Sequence, residues 1–98
     1  MKTTITPAGL KQLLNKGIKP MLLDVRSQEE YSENHLPLAI HVPLETIETG
    51  HFVPEPGKIM VTICGKGGGR SERAANYLRK NFSNEVYFLE GGTQAWFS

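Results

Sequence analysis

A single cysteine, Cys64, stands among 98 residues. That scarcity excludes an intramolecular disulfide and any zinc site built from several cysteines, and a lone thiol suits a reducing compartment. Long apolar runs are missing too. No stretch approaches the roughly 20 residues that a membrane span requires, and nothing before Pro7 has the apolar core of a secretory signal. No basic tail or lipidation signal accompanies Trp96-Phe97-Ser98. Charge of one sign is equally scarce: 11 Lys and Arg face 10 Asp and Glu, a net charge of +1. No overall field therefore favours nucleic acid or an anionic surface. His41 and His51 have no partners at ligand spacing, so neither a metal nor another cofactor is expected. These absences lead to the expectation of a cytoplasmic protein with no nucleic-acid or membrane partner.

What is present is ordinary for a globular chain, with 39% hydrophobic and 21% charged residues. The length accommodates one compact domain, expected over residues 1–98, and is too short for two. Thr3 to Ile5 reads as a short strand. Thr6-Pro7 is an N-cap followed by proline at the first helical position, and Leu10, Leu13 and Leu14 repeat at helical spacing up to a stop at Gly17. Met21 to Val25 is a short apolar run of the kind buried on both faces of a sheet. Ser27-Gln28-Glu29-Glu30 has the capping-box pattern and opens a short helix through Tyr31. Ala39 to Val42 reads as a strand, and Pro43 to Glu48 as a helical turn ending at Gly50. His51 to Gly57 is a loop. Ile59 to Ile63 is the clearest strand, Ser71 to Asn81 a helix with Ala74, Ala75 and Leu78 on one face, and Val86 to Leu89 a last strand.

Strands alternating with helices, several of them continuously apolar, imply an α/β fold with a mainly parallel sheet covered on both faces. Ligands of such sheets bind beyond the carboxyl ends of the strands. Cys64 follows the clearest strand at such an end.

The residues after that strand, Cys64-Gly65-Lys66-Gly67-Gly68-Gly69-Arg70-Ser71, join a thiol to a helix start through a glycine-rich loop. The thiolate is the nucleophilic form of cysteine. A helix N-terminus, with Lys66 and Arg70 nearby, is expected to lower the Cys64 pKa and attract an anion. Four glycines let successive N–H groups turn inward as an anion-binding nest, and Arg70 can grip an oxyanion at two points. The residue pattern thus points to attack by a thiolate on an anionic substrate held by Gly65 to Ser71. A nucleotide P-loop is excluded, because its G-x-x-x-x-G-K-[ST] order is absent. The plainer alternative, a buried core cysteine before a tight turn, leaves four glycines between a thiol and two cations unexplained.

Four segments, in order, resemble the rhodanese family over nearly the whole chain. Leu22 to Arg26 with Glu29, Glu30 and Tyr31 resembles its first signature. His35 to Pro43 resembles its "GHIPGAINIP" segment, with Asn34 and Leu38 where glycines are usual. Cys64 to Ser71 resembles the active-site loop, and Leu89 to Gly92 with Trp96 the closing motif. The resemblance implies a five-stranded, mainly parallel sheet flanked by helices. It also implies a sulfurtransferase that takes a sulfane sulfur from a small anionic donor such as thiosulfate onto Cys64. The persulfide would then pass to cyanide, a thiol or a protein acceptor. One departure stands out. Sulfur-transferring relatives typically have four residues between the cysteine and the loop-closing residue, whereas here five precede Arg70. That spacing resembles the phosphatases and arsenate reductases of the same fold, although residues 65–69 contain no acid to protonate a leaving alkoxide. Oxyanion chemistry, and a non-catalytic regulatory module, are the alternatives.

The remaining polar residues read as structural. Asp24 and Arg26 are expected to form an ion pair or cap a turn, His35 to be hydrogen-bonded in place, and Glu29 and Glu30 to serve helix capping. Trp96 and Phe97 are expected to pack, with part of a pocket wall as the alternative for Trp96, and Arg73 to extend a positive rim or face solvent. Glu72 lies in the expected helix, with its aim open.

Overall fold

The computed structural model describes residues 3–98. Five strands, β1 (Thr4–Ile5), β2 (Met21–Asp24), β3 (Ile40–His41), β4 (Met60–Ile63) and β5 (Val86–Leu89), form one sheet in the order β1-β5-β4-β2-β3. Every pairing is parallel, as the continuous apolar runs of β2 and β4 require. β4 is central and wholly buried between β5 and β2.

Alternation along these strands sorts side chains into two cores. Leu23, Met60, Cys64 and Val86 face one side, with Ile47 of α3 (Leu44–Glu48) and Ala74, Ala75 and Leu78 of α4 (Gly69–Asn81). Leu22, Val61, Ile63 and Leu89 face the other, where Leu10 and Leu14 of α1 (Pro7–Asn15) and Trp96 of α5 (Gly92–Trp96) cover them. Thr6 caps α1 by accepting from the Gly9 N–H at 3.0 Å. Ser27 and Glu30 complete a reciprocal capping box on α2 (Gln28–Glu33). No helix of the described residues is long and apolar enough to cross a membrane.

Several boundaries differ from those read in the sequence. α2 runs two residues past Tyr31, and α4 starts at Gly69, two residues before Ser71. β3 shrinks to two residues because it is an edge strand with β2 as its sole neighbour. α5 has no counterpart in the sequence reading, since a single turn carries no periodicity to recognise. Phe97 is 52% exposed and does not pack, in contrast to Trp96.

Leu38 is the one non-glycine residue with positive φ among the described residues, at 71°, and it is 82% exposed. Its side chain meets the peptide backbone unfavourably in that conformation, at a cost of about 1–2 kcal/mol, and little burial offsets it. Leu38→Gly is therefore expected to stabilise the protein by about 1 kcal/mol. Leu38→Ala, which keeps a Cβ, should give no such gain. Urea unfolding of both variants beside the wild type checks this, and equal midpoints for glycine and alanine would contradict it.

Candidate functional site

β4 carries the chain to Cys64 at the carboxyl edge of the sheet, where the Val25 N–H still donates to the Ile63 carbonyl at 3.0 Å. The chain then curls over residues 65–68 into α4. Behind the curl lies α5, whose first amides hold the loop. The Thr93 N–H donates to the Cys64 carbonyl at 2.9 Å, and the Gln94 N–H to the Gly65 carbonyl at 3.0 Å. Because C=O and N–H of a planar peptide unit point in opposite directions, the amides of Gly65 and Lys66 face away from α5. Gly67, at φ +75°, presses backbone to backbone on Gly91 and Gly92; a Cβ there would overlap the Gly91 nitrogen. A Cβ on Gly92 would overlap the Cys64 carbonyl oxygen.

Cys64 is 4% exposed, and its sulfur sits in a triangle of polar groups. Sγ lies 3.0 Å from the Gly68 carbonyl oxygen and 3.1 Å from Ser71 Oγ, and Ser71 Oγ is 3.1 Å from the same carbonyl. As a thiol, Cys64 donates to Gly68. As a thiolate it can accept from the Ser71 hydroxyl, which rotates between the two acceptors. Ser71 is itself buried, and its carbonyl accepts from Thr62 Oγ1 at 2.7 Å, tying the first turn of α4 to β4.

Burial is the largest single influence on the Cys64 thiol and pushes its pKa up. The Ser71 hydroxyl and the main-chain groups of Ser71, Gly68 and Gly67 together outweigh it, so the pKa lies below the ordinary cysteine value. The direction matches the sequence reading, and the main-chain groups of Gly68 and Ser71 belong to the helix N-terminus it invoked; the Ser71 hydroxyl stands ahead of the cations Lys66 and Arg70. Lys66 is exposed at the loop surface. Arg70 Nη1 and Nη2 donate to Glu30 Oε1 and Oε2 at 2.7 and 3.1 Å, so its fork meets a carboxylate of the protein.

Cys64, Gly67, Gly68 and Ser71 therefore gather around the sulfur, Gly65 starts the curl, and Gly69 opens α4 on the exposed side. Lys66 and Arg70 face outward by comparison. The sequence gives Glu30 a capping role alone; its second partner, Arg70, is 40 residues away, and the capping pattern is complete without it. Asp24 and Arg26 do form the expected ion pair, buried and bidentate, with Nε–Oδ1 2.9 Å and Nη2–Oδ2 2.8 Å. The Asp24 hydrogen bond holds the Arg26 guanidinium above its ordinary pKa. His35 Nδ1 donates to the Tyr31 carbonyl at 2.8 Å and its ring stacks on Tyr31. His41 stacks on Tyr31 as well and donates from Nε2 to the Arg26 carbonyl at 2.7 Å. Arg73 pairs with Glu48 at 2.7 Å instead of forming an open positive rim. Among the described residues no group of three or more His, Cys, Asp or Glu side chains can hold a metal.

The family model described as the rhodanese-like domain matches residues 6–98. A rhodanese homolog from Thermus thermophilus is 35% identical, with 97% of this chain and 100% of that one covered and a TM-score of 0.75. A rhodanese-like domain protein from Staphylococcus aureus is 33% identical, with coverages of 98% and 91% and a TM-score of 0.82. A human single-domain sulfurtransferase shares the fold at a TM-score of 0.85, with 22% identity and coverages of 99% and 96%.

Two pH-dependent outcomes follow from the site. The midpoint of Cys64 alkylation against pH is expected below that of free cysteine, and Ser71→Ala should move it upward by removing a donor to the thiolate. An unmoved midpoint would mean that the hydroxyl does not serve the sulfur. Glu30 is held at about 2, below its ordinary 4.5, chiefly by the Arg70 hydrogen bond. A depressed carboxylate stabilises the fold fully above its unfolded value, and that contribution disappears as pH falls toward about 2. Urea midpoints of the wild type should accordingly fall more steeply below pH 4.5 than those of Glu30→Gln.

Proposed function

This chain belongs to the rhodanese-like domain family, and we propose that it is a sulfurtransferase whose Cys64 accepts a sulfane sulfur and hands it on. The observation that carries this reading is the sulfur's setting: a thiol held below its ordinary pKa by Ser71 and loop main-chain groups, at the carboxyl end of the central strand. The Cys64 thiolate attacks the outer sulfur of thiosulfate, the S–S bond breaks, and sulfite leaves with the bonding electron pair. The persulfide on Cys64 keeps one negative charge, so charge and atoms balance without an oxidant. A thiophilic acceptor, either cyanide or the thiol of a small molecule or protein, then attacks the outer sulfur and releases the Cys64 thiolate.

Sulfite is a stable anion and departs without a proton, so this chemistry requires no acid in the loop. A phosphatase reaction does require one. Residues 65–69 supply none, and Glu30, the carboxyl over the loop, is held at about 2 and is ionised at neutral pH. The five residues between Cys64 and Arg70 favour oxyanion chemistry as the second reading, since a longer loop encloses a larger anion. Glycine residues let the same loop close on a single sulfur. A thiolate regenerated in each cycle suits a reducing compartment, and we place the reaction in the cytoplasm.

Intact-mass measurement before and after thiosulfate tests the proposal. The wild type is expected to gain one sulfur atom, lost again on addition of cyanide or a thiol reductant. Cys64→Ser should gain none while melting near the wild type, because a hydroxyl fits the same space and cannot form a persulfide. Hydrolysis of an aryl phosphate with no gain of sulfur would establish the second reading. Neither sulfur gain nor hydrolysis would leave a binding module.

A further inference from the structure

Arg70 and Glu30 approach from opposite parts of the chain, and α2 has its complete cap from Ser27 and Glu30 without any arginine. A guanidinium fork is the side chain best shaped to hold an oxyanion at two points. Arg70 is near enough to the sulfur for the Cys64 charge to help raise the arginine's pKa, behind the larger influence of Glu30. Both terminal nitrogens of that fork are engaged by one carboxylate. The carboxylate also reaches over the loop, since a Cβ placed on Gly65 would lie 4.0 Å from Glu30 Oε2. One turn along α4, Arg73 is closed in the same way, with Nη2 at 2.7 and 2.9 Å from the two Glu48 oxygens. An anion arriving at the loop meets two neutralised arginines, a carboxylate beside Gly65 and the exposed ammonium of Lys66.

We propose that Glu30 is a specificity-determining residue of the Cys64 site: by holding both arms of Arg70 it withholds a two-point contact from tetrahedral dianions, lowering affinity for phosphate, arsenate and thiosulfate alike. Substrate capture is left to the loop amides and Ser71. A dissolved dianion competes with a carboxylate tethered beside the arginine at high effective concentration. It also meets like charge from Glu30 as it approaches, which disfavours binding further. The inference rests on the Cys64 loop being the reactive site, and holds whichever group the loop transfers.

Glu30→Gln is the informative change, because glutamine also serves at the third position of a capping box. α2 keeps its cap while Arg70 loses its counter-charge. The readout is protection of Cys64 from iodoacetamide by inorganic phosphate, which needs no sulfur transfer and so separates this inference from the proposed activity. The half-protecting phosphate concentration is expected to fall at least about tenfold in Glu30→Gln. Adding Arg70→Ala to that variant should abolish the gain. Arg70→Ala alone, an exposed change on α4 that leaves the core intact, should shift the wild-type value less than about twofold, the arginine being already engaged. No gain in a folded Glu30→Gln, a gain that survives Arg70→Ala, or a large loss of phosphate protection in Arg70→Ala alone would each overturn the proposal.

Discussion

Backbone-to-backbone contact between two glycine segments is the constraint on which the site depends. Gly67 lies against Gly91 and Gly92, and Gly92 against the Cys64 carbonyl, with no room for a Cβ at either interface. That closeness lets the Thr93 and Gln94 amides reach the Cys64 and Gly65 carbonyls. With those carbonyls drawn toward α5, the chain has to curl on its other side, around the sulfur. Gly67 also sits at φ +75°, a conformation that a side chain would oppose. The loop is thus shaped from behind by the last helix, and its geometry is a property of two segments that fold against each other.

The second governing feature is that the arginines nearest the reactive sulfur are each paired with a carboxylate, which leaves Lys66 as the exposed cation of the loop. Arg26 is closed by Asp24, Arg70 by Glu30 and Arg73 by Glu48. Activation of Cys64 falls chiefly to a hydroxyl and main-chain groups. Such short-range dipoles are fixed in place by the fold, and they are screened by salt far less than exposed cations are. The same economy of charge separates nucleophile activation from anion capture. A lowered thiol pKa usually comes with a positive mouth; here the two are built from different groups. The buried Asp24–Arg26 pair adds no net charge, and its partners are satisfied: Asp24 Oδ1 also accepts from the Arg26 N–H at 3.1 Å. Removing either partner would strand a charge in the interior, which typically costs 3–5 kcal/mol.

Much of this was legible in the sequence because it is encoded within a few neighbouring residues. The apolar runs at Leu22-Leu23 and Val61 to Ile63 defined buried parallel strands. Thr6-Pro7 and Ser27-x-x-Glu30 marked the helix starts by their own side-chain hydrogen bonds. The glycines after Cys64 marked a curl at a strand's carboxyl end, and Asp24 with Arg26, two residues apart, are close enough to pair from local geometry alone. Leu38 stood where a glycine is usual, and its φ of 71° shows why. What failed locally was marginal in energy or length, such as the extent of the two-residue edge strand β3 and the single turn of α5.

The sequence by itself determined the sheet, the strand that carries Cys64 and the loop that surrounds it, since periodicity, capping and glycine conformations are short-range effects. Tertiary structure alone decided which groups act on the sulfur and which charges cancel. Lys66 and Arg70 are near Cys64 along the chain, and proximity in sequence made them candidates for its activation. Folding brings up Glu30 from 40 residues away to engage Arg70, places Ser71 Oγ 3.1 Å from the sulfur, and sets Gly91 and Gly92 behind the loop. Electrostatic influence depends on distance in space and on what else is already paired, and neither quantity is written in the order of the residues.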